Sequence, residues 1–321
     1  MTKISLAANP QSAACEISLC PLCGGTELKT KSRHDQKRLR KCLGCGILFV
    51  TPQPSPAALA SHFQTGGLVT IDKFDTHFEV NRQPVLSRVV NYIRSRKETG
   101  TILDVGCATG FFLAGLTKSA QWDAWGVELS LSAAQEARRS GIQVHVGDTR
   151  SAKFKDRCFD AITVLDAFYY FPNPESELAE LGRILKDDGF LALELPWANT
   201  RVWQHAAIIS KLLNGIHIPL LQSSDHLFYY SPKSVSLLLE RCEFRVEAIC
   251  PLPANRQVGW LRDFLWKTYS FISQLLWKLS AGIVFLGPRF LVVGGKMPPV
   301  NRAEGVSLRI LDRQPEFQDR G

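Results

Sequence analysis

Two groups of residues in this chain could do chemistry. The first is Cys20-x-x-Cys23 and Cys42-x-x-Cys45, two pairs separated by 18 residues. Four thiolates at that spacing suit a closed structural zinc site, which holds a small fold together and keeps no position open for substrate. A glycine follows each pair (Gly24, Gly46) and lets the loop turn so that backbone amides face the sulfurs. Redox or iron chemistry is the competing reading, and a redox role needs an exposed thiol of low pKa. The second group surrounds LDVGCATGFF, residues 103–112, which reads as a strand, a glycine turn and the start of a helix.

In an open α/β sheet, ligands bind beyond the carboxyl ends of the strands. The turn carries Gly106, Ala108 and Gly110, a G-x-A-x-G spacing, where a dinucleotide site would show G-x-G-x-x-G to bring a pyrophosphate onto a helix N-terminus. Asp104 precedes the first glycine, and a carboxylate there opposes a phosphate but suits an ammonium group. Glu128 closes the next strand and can accept from both hydroxyls of a ribose. Asp148, after Gly147, closes the third and can accept from the exocyclic amine of an adenine. S-adenosylmethionine has an ammonium, a ribose and an adenine, and no phosphate. The competing reading is a tight turn with Asp104 as a cap, and three acids at three successive strand ends weigh against it.

The elements that must position these groups are legible in the apolar pattern. TILDV, AWGVE, IQVHV, FDAITVL and FLALEL are short apolar and β-branched runs, with helical stretches near 110–120, 130–140 and 175–186 between them. NRQPVLSRVVNYIRSR, about 81–96, predicts a lead-in helix, and a further helix is expected at about 232–241, followed by strands FRVEAICPL and RFLVVGG. The alternation predicts an α/β fold with a doubly wound, Rossmann-like sheet. The 321 residues suffice for one such domain and a small accessory module, and 45% hydrophobic with 21% charged residues is an ordinary globular composition. Nine cysteines, four of them in C-x-x-C pairs, point to metal binding in a reducing compartment, and MTKISLAANPQSAACEI lacks the apolar core of a signal peptide. A cytoplasmic protein, peripheral at most to the inner face of a membrane, is the expectation.

From about 99 to 295 the chain resembles the class I S-adenosylmethionine-dependent methyltransferases, through LDVGCATGFF, GVELS, VGDTR, FDAITVLDAFYYFPNP and LGRILKDDGFLALELP in that order. The resemblance implies a seven-stranded sheet whose final strand, here RFLVVGG, runs antiparallel. It assigns Asp104, Gly106 and Gly110 to the methionine and ribose portions, Glu128 to the ribose hydroxyls, Asp148 to the adenine, and Leu165 and Asp166 to the surroundings of the methyl group. DHLFYYSPKSVSLLLERCEFRVEAI is similar to a segment of bacterial methyltransferases that carry an N-terminal zinc module, some of which act on nucleotide-linked sugars or in surface-polysaccharide and natural-product pathways. Two departures stand out: Tyr169-Tyr170 occupies the place where such proteins often have Glu-His, and the long C-terminal region of the sugar C-methyltransferases is missing.

The expected organisation is a flexible N-terminus (1–18), a zinc ribbon-like module (19–50), a linker and lead-in helix (51–98), the methyltransferase domain (99–296) with inserts at 197–224 and 259–287, and a flexible tail (297–321). Candidate bases are His226 with Asp225, then Tyr170, His205 and His217; His226 and Tyr170 read equally as loop and pocket-wall residues. The remaining cysteines (15, 107, 158, 242 and 250) read as packing. KTKSRHDQKRLRKC carries seven Lys and Arg against one acid, which suits a solvated hairpin face or RNA phosphates, although it offers no aromatic ring to stack on a base. The 259–287 segment is amphipathic, with charges that argue against a span; it reads as a cap or dimer helix, or as one lying at a membrane interface. The expected acceptor is a small molecule, a sugar or a lipid-linked glycan. An RNA acceptor, or a catalytically silent cofactor-binding scaffold, remains the alternative.

Overall fold

The computed structural model describes residues 14–34, 36–64, 76–118, 121–197, 226–253, 255, 260–280, 286–287 and 289–297. Of residues 34, 76–80, 261, 262, 265 and 266 only the backbone is described. Strands β1 (Leu28–His34), β2 (Lys37–Cys42) and β3 (Leu48–Thr51) form an antiparallel sheet around the two cysteine pairs. Two helices follow, α1 (Pro56–Gln64) and α2 (Thr76–Arg96). The second begins earlier than the expected start near 81 and carries Pro84 inside it. Val85, Val89, Tyr92 and Ile93 give α2 one buried stripe at helical spacing.

The main domain then alternates: β4 (Gly100–Val105), α3 (Phe111–Thr117), β5 (Trp122–Glu128), α4 (Leu131–Arg139), β6 (Gln143–Val146) and β7 (Phe159–Leu165). A single 3-10 turn (Phe168–Tyr170), α5 (Pro174–Ile184) and β8 (Leu185–Pro196) follow. The last elements are β9 (Phe228–Tyr229), α6 (Pro232–Arg241), β10 (Phe244–Leu252), α7 (Trp260–Leu279) and β11 (Arg289–Lys296). Seven strands build one sheet in the order β10-β11-β8-β7-β4-β5-β6. Neighbours from β8 to β6 are parallel, whereas β11 runs antiparallel to both β8 and β10, as expected for RFLVVGG.

Local chemistry fixes where these elements start. All seven residues of β7 are buried, the mark of a central strand covered on both faces. Helices α4, α5 and α6 open on Ser130, Asn173 and Ser231, whose side chains accept from the backbone N–H of Ala133, Ser176 and Ser234. Helix α3 opens instead on Gly110, at φ +75°, where a Cβ would lie 2.8 Å from that of Ala137. Only glycine lets the turn and α4 approach so closely.

The cysteine sheet does not stand apart. Its fourth strand is β9, which pairs with β3 (Leu48↔Tyr229, Phe49↔Phe228) although it lies after β8 in the chain. Val50 N–H donates to the Leu227 carbonyl at 2.9 Å, and Leu227 N–H donates to the Tyr169 carbonyl at 3.1 Å. Ile47 and Phe49 share one buried cluster with Phe228, Tyr230 and Leu238. At the N-terminal side, Cys15 and Gln53 exchange both backbone hydrogen bonds. The 197–224 insert lies outside the described residues except for Trp197, as do Asp225, His205 and His217.

Candidate active site and metal centre

Strand order reverses between β4 and β7, and the carboxyl ends of β4, β5, β6 and β7 open there into a cavity of about 780 Å³. Asp104, Gly106, Glu128, Asp148, Leu165, Asp166, Tyr170 and His226, all expected site residues, line it. Gly110 does not line it; its place is the packing of α3 against α4.

The turn after β4 is wound tightly. Gly106, Ala108 and Gly110 all have positive φ, and a Cβ at Gly106 would meet that of Ala167 at 2.9 Å. Ala108 keeps its left-handed conformation (φ +49°) because its N–H donates to Glu128 at 2.9 Å. The other oxygen of Glu128 accepts from Ser130 N–H, also at 2.9 Å. Burial raises the Glu128 carboxyl above its ordinary value against those two bonds. Each oxygen keeps acceptor capacity for a ligand hydroxyl.

Asp104 is buried beside Thr163, whose hydroxyl donates to it at 2.6 Å. Burial pushes its carboxyl up to about 7. A buried carboxyl in that condition recovers its charge when a cation arrives. At the third strand end, burial would raise Asp148, but the Ser151 N–H and hydroxyl, with Arg150 nearby, hold it below the usual range. The three acceptors therefore fit a ligand that donates from an ammonium, a diol and an amine, and the Gly106 cradle leaves room for it.

On the opposite wall the side chains form a network that the sequence reading missed. Asp166 (φ +60°) bonds Arg82 of α2 at 2.7 Å and Arg289 of β11 at 2.5 Å. Both arginines also meet Glu194 of β8, Arg289 at 2.9 Å. The Tyr169 hydroxyl donates to Asp166 at 2.6 Å. Burial would raise Asp166, yet Arg289 and Arg82 outweigh it and hold the carboxyl far below its usual range. Tyr169 goes the other way: burial and then the Asp166 charge push its hydroxyl well above the ordinary value. Neither is a proton acceptor near neutral pH. Two arginines thus balance two carboxylates and pin α2, β8, β11 and the loop after β7 to one another. A readable signal existed, since Glu194 interrupts the apolar run that starts at Phe190 and Arg289 directly precedes the apolar run 290–293.

The remaining wall is apolar and aromatic. Pro56, Leu59, Ala60 and Phe63 of α1 line it together with Tyr170, Phe171 and His226. The His226 ring lies 4.0 Å from that of Tyr169 and 5.3 Å from that of Tyr170, centroid to centroid, and Phe63 meets Tyr170 edge-on at 5.3 Å. The stretch expected to be a connector therefore supplies a face of the site.

At the metal centre the Sγ atoms of Cys20, Cys23, Cys42 and Cys45 lie within 4.8 Å of one another. Two pairs, Cys20–Cys45 and Cys23–Cys42, approach to 3.5 and 3.6 Å. A tetrahedral zinc with Zn–S bonds of about 2.3 Å needs sulfurs roughly 3.8 Å apart, so the four fit such an ion. Gly24 (φ +70°) and Gly46 (φ +80°) turn the two loops alike, each donating its N–H to the carbonyl of the first cysteine of its pair.

Residues 78–249 match the family described as Methyltransferase domain. The chain is 28% identical over 114 residues to "Probable tRNA methyltransferase 9B" of Mus musculus, covering 35% of this chain and 25% of that protein. It is 30% identical over 152 residues to "Squalene methyltransferase 2" of Botryococcus braunii, covering 43% of this chain and 39% of that one. The chain thus spans well under half the length of these curated relatives. Among solved structures it is similar in fold to a complex of the Haloferax volcanii Trm112 methyltransferase activator with a methyltransferase (TM-score 0.50, 18% identity, 75% of this chain and 98% of that one).

Proposed function

This chain belongs to the methyltransferase-domain family, and on that premise we propose that it uses S-adenosylmethionine to methylate a small-molecule, sugar or lipid-linked glycan acceptor. When bound, S-adenosylmethionine supplies a methyl group on a cationic sulfonium, which an acceptor lone pair displaces in line. Asp104 takes the ammonium, Glu128 the ribose hydroxyls and Asp148 the adenine amine. Leu165 and the Asp166 loop flank the methyl group. Asp166 acts through position, since the two arginines leave it too weak a base to accept a proton.

The observation that carries the acceptor class is the wall opposite the acids. Leu59, Phe63, Tyr170, Phe171 and His226 enclose a mostly apolar space continuous with the cofactor region. Its total volume is that of a small-molecule site. His226, with one face against Tyr169, is the candidate to take a proton from an acceptor hydroxyl. The RNA alternative has two supporting observations, the basic β1–β2 hairpin and the 28% identity over 114 residues to "Probable tRNA methyltransferase 9B". Two of the hairpin's cations are engaged within the protein, however: Arg38 pairs with Glu16, and Arg40 donates to the Leu28 carbonyl.

Labelled methyl transfer from S-adenosylmethionine into a cell extract, fractionated into RNA and an organic-extractable plus small-molecule pool, tests the reading. Label in the second pool is expected. Label confined to RNA would sink the acceptor class, and binding of S-adenosylmethionine with no labelled product would favour a silent scaffold.

A further inference from the structure

Helix α7 leaves a broad apolar face in solvent while burying two serines on its inner side. It turns Ser270 and Ser273 inward, the latter 1% exposed, with Ser280 half-buried on the same side. Outward it shows Trp260 (82% exposed), Phe264, Phe271 (67%), Ile272, Leu275 and Leu279 (76%). At 100° per residue these six fall on one arc, together with Lys267, Thr268 and Lys278. The single acid of the helix, Asp263, sits on the inner flank and bonds Lys267 at 2.7 Å. The helix is anchored: Trp277 packs on the main core, and the Tyr269 hydroxyl donates to the Leu286 carbonyl.

From this face we propose that α7 lies in the interface of an anionic membrane, apolar side down, with its lysines at headgroup level. Large aromatic and aliphatic side chains flanked by cations are what such a surface selects. Charge decides against a second copy of the chain. A two-fold pairing of α7 would bring Lys267 and Lys278 of both copies into one apolar seam whose single acid, Asp263, is already bonded to Lys267, between two chains that each carry a net +8. An anionic bilayer complements both. Among the described residues no helix is long and apolar enough to cross a membrane, so the contact is peripheral.

Topology gives the contact a purpose. Helix α7 joins the end of β10 to the start of β11, where Leu252 pairs with Arg289 and Arg289 pairs with Pro196 at the end of β8. Arg289 lines the cavity, so α7 emerges from the same end of the sheet as the site. An acceptor whose tail stays in the bilayer would reach the cavity head-first. This step rests on the proposed methyl transfer; the membrane seat does not.

Sedimentation of the full chain with vesicles of phosphatidylcholine doped with phosphatidylglycerol, against pure phosphatidylcholine, tests the seat. Wild type is expected to partition onto the anionic vesicles. The triple variant Phe264→Ser, Phe271→Ser, Leu275→Ser and the pair Lys267→Glu, Lys278→Glu should each lose about tenfold or more. Leu131→Ser, an exposed leucine on α4, should lose nothing. Unchanged S-adenosylmethionine binding by calorimetry establishes that each variant is folded. Equal partition of wild type and triple variant, no partition at all, or self-association that the triple variant abolishes would each overturn the seat. Labelled organic extract without vesicle binding would overturn it and spare the methyl-transfer reading; vesicle binding without any labelled product would do the reverse.

Discussion

Asp104 illustrates how one residue ties folding to ligand. Its carboxyl titrates near 3.8 when free and near 7 in the folded chain, because burial disfavours the charge. A raised carboxyl stabilises the fold fully at low pH, and that contribution is lost as pH climbs from about 4 through 7. Asp104→Asn, which cannot ionise, should therefore lose less thermal stability than wild type between about pH 5 and pH 8. Ligand binding should run the other way. An ammonium group favours the ionised carboxylate, so S-adenosylmethionine affinity should rise with pH through 7 in wild type and stay flatter in the variant. Calorimetric titrations at several pH values check this; parallel profiles would remove Asp104 from the ammonium site.

At the scale of elements, the consequential piece is β9. Two residues long, it belongs by hydrogen bonding to the cysteine sheet and by sequence to the segment carrying His226. Arg241 of α6 adds a second tie, donating to the carbonyl of Leu22 between the first two cysteines and bonding Glu175 of α5 at 2.9 Å. The metal centre thus braces one wall of the cavity, while the turn after β4 is braced separately by Glu128. Removing the metal with a chelator should raise hydrogen exchange at 226–230 and 168–170 and leave 102–110 and 126–130 nearly unchanged. Uniform protection after removal would show that the two walls are not coupled through β9. Little of this was readable beforehand. The parallel strands, their helices and the acid at each strand end follow from apolar period and spacing, which are local. The pairing of β9 with β3 joins residues far apart in the chain, and no period announces it. For the same reason PAALASHFQ read as a connector: its apolar residues acquire a meaning only once Tyr170 and His226 line the same wall. Arg82 was hidden differently, since an arginine on a helix reads as solvated until its partners Asp166 and Glu194 are seen.

For the whole molecule, the two sheets make one body with the cavity at one end, acids on one side and apolar rings on the other. Helix α7 lies at that same end with its hydrophobic side outward. The cavity as the S-adenosylmethionine site is the central claim, with Glu128 both holding the Ala108 turn and meeting the ribose. A charge-assisted hydrogen bond contributes about 1.5–3 kcal/mol, or roughly a 10- to 100-fold change in affinity. The direct measurement is calorimetric titration of the full chain with S-adenosylmethionine, wild type against Glu128→Ala, with circular dichroism to establish that the variant is folded. Saturable one-to-one binding, weakened by about 10- to 100-fold in the variant, is the expected result. Equal affinity in a folded variant, or no binding by wild type, would contradict the assignment of this cavity.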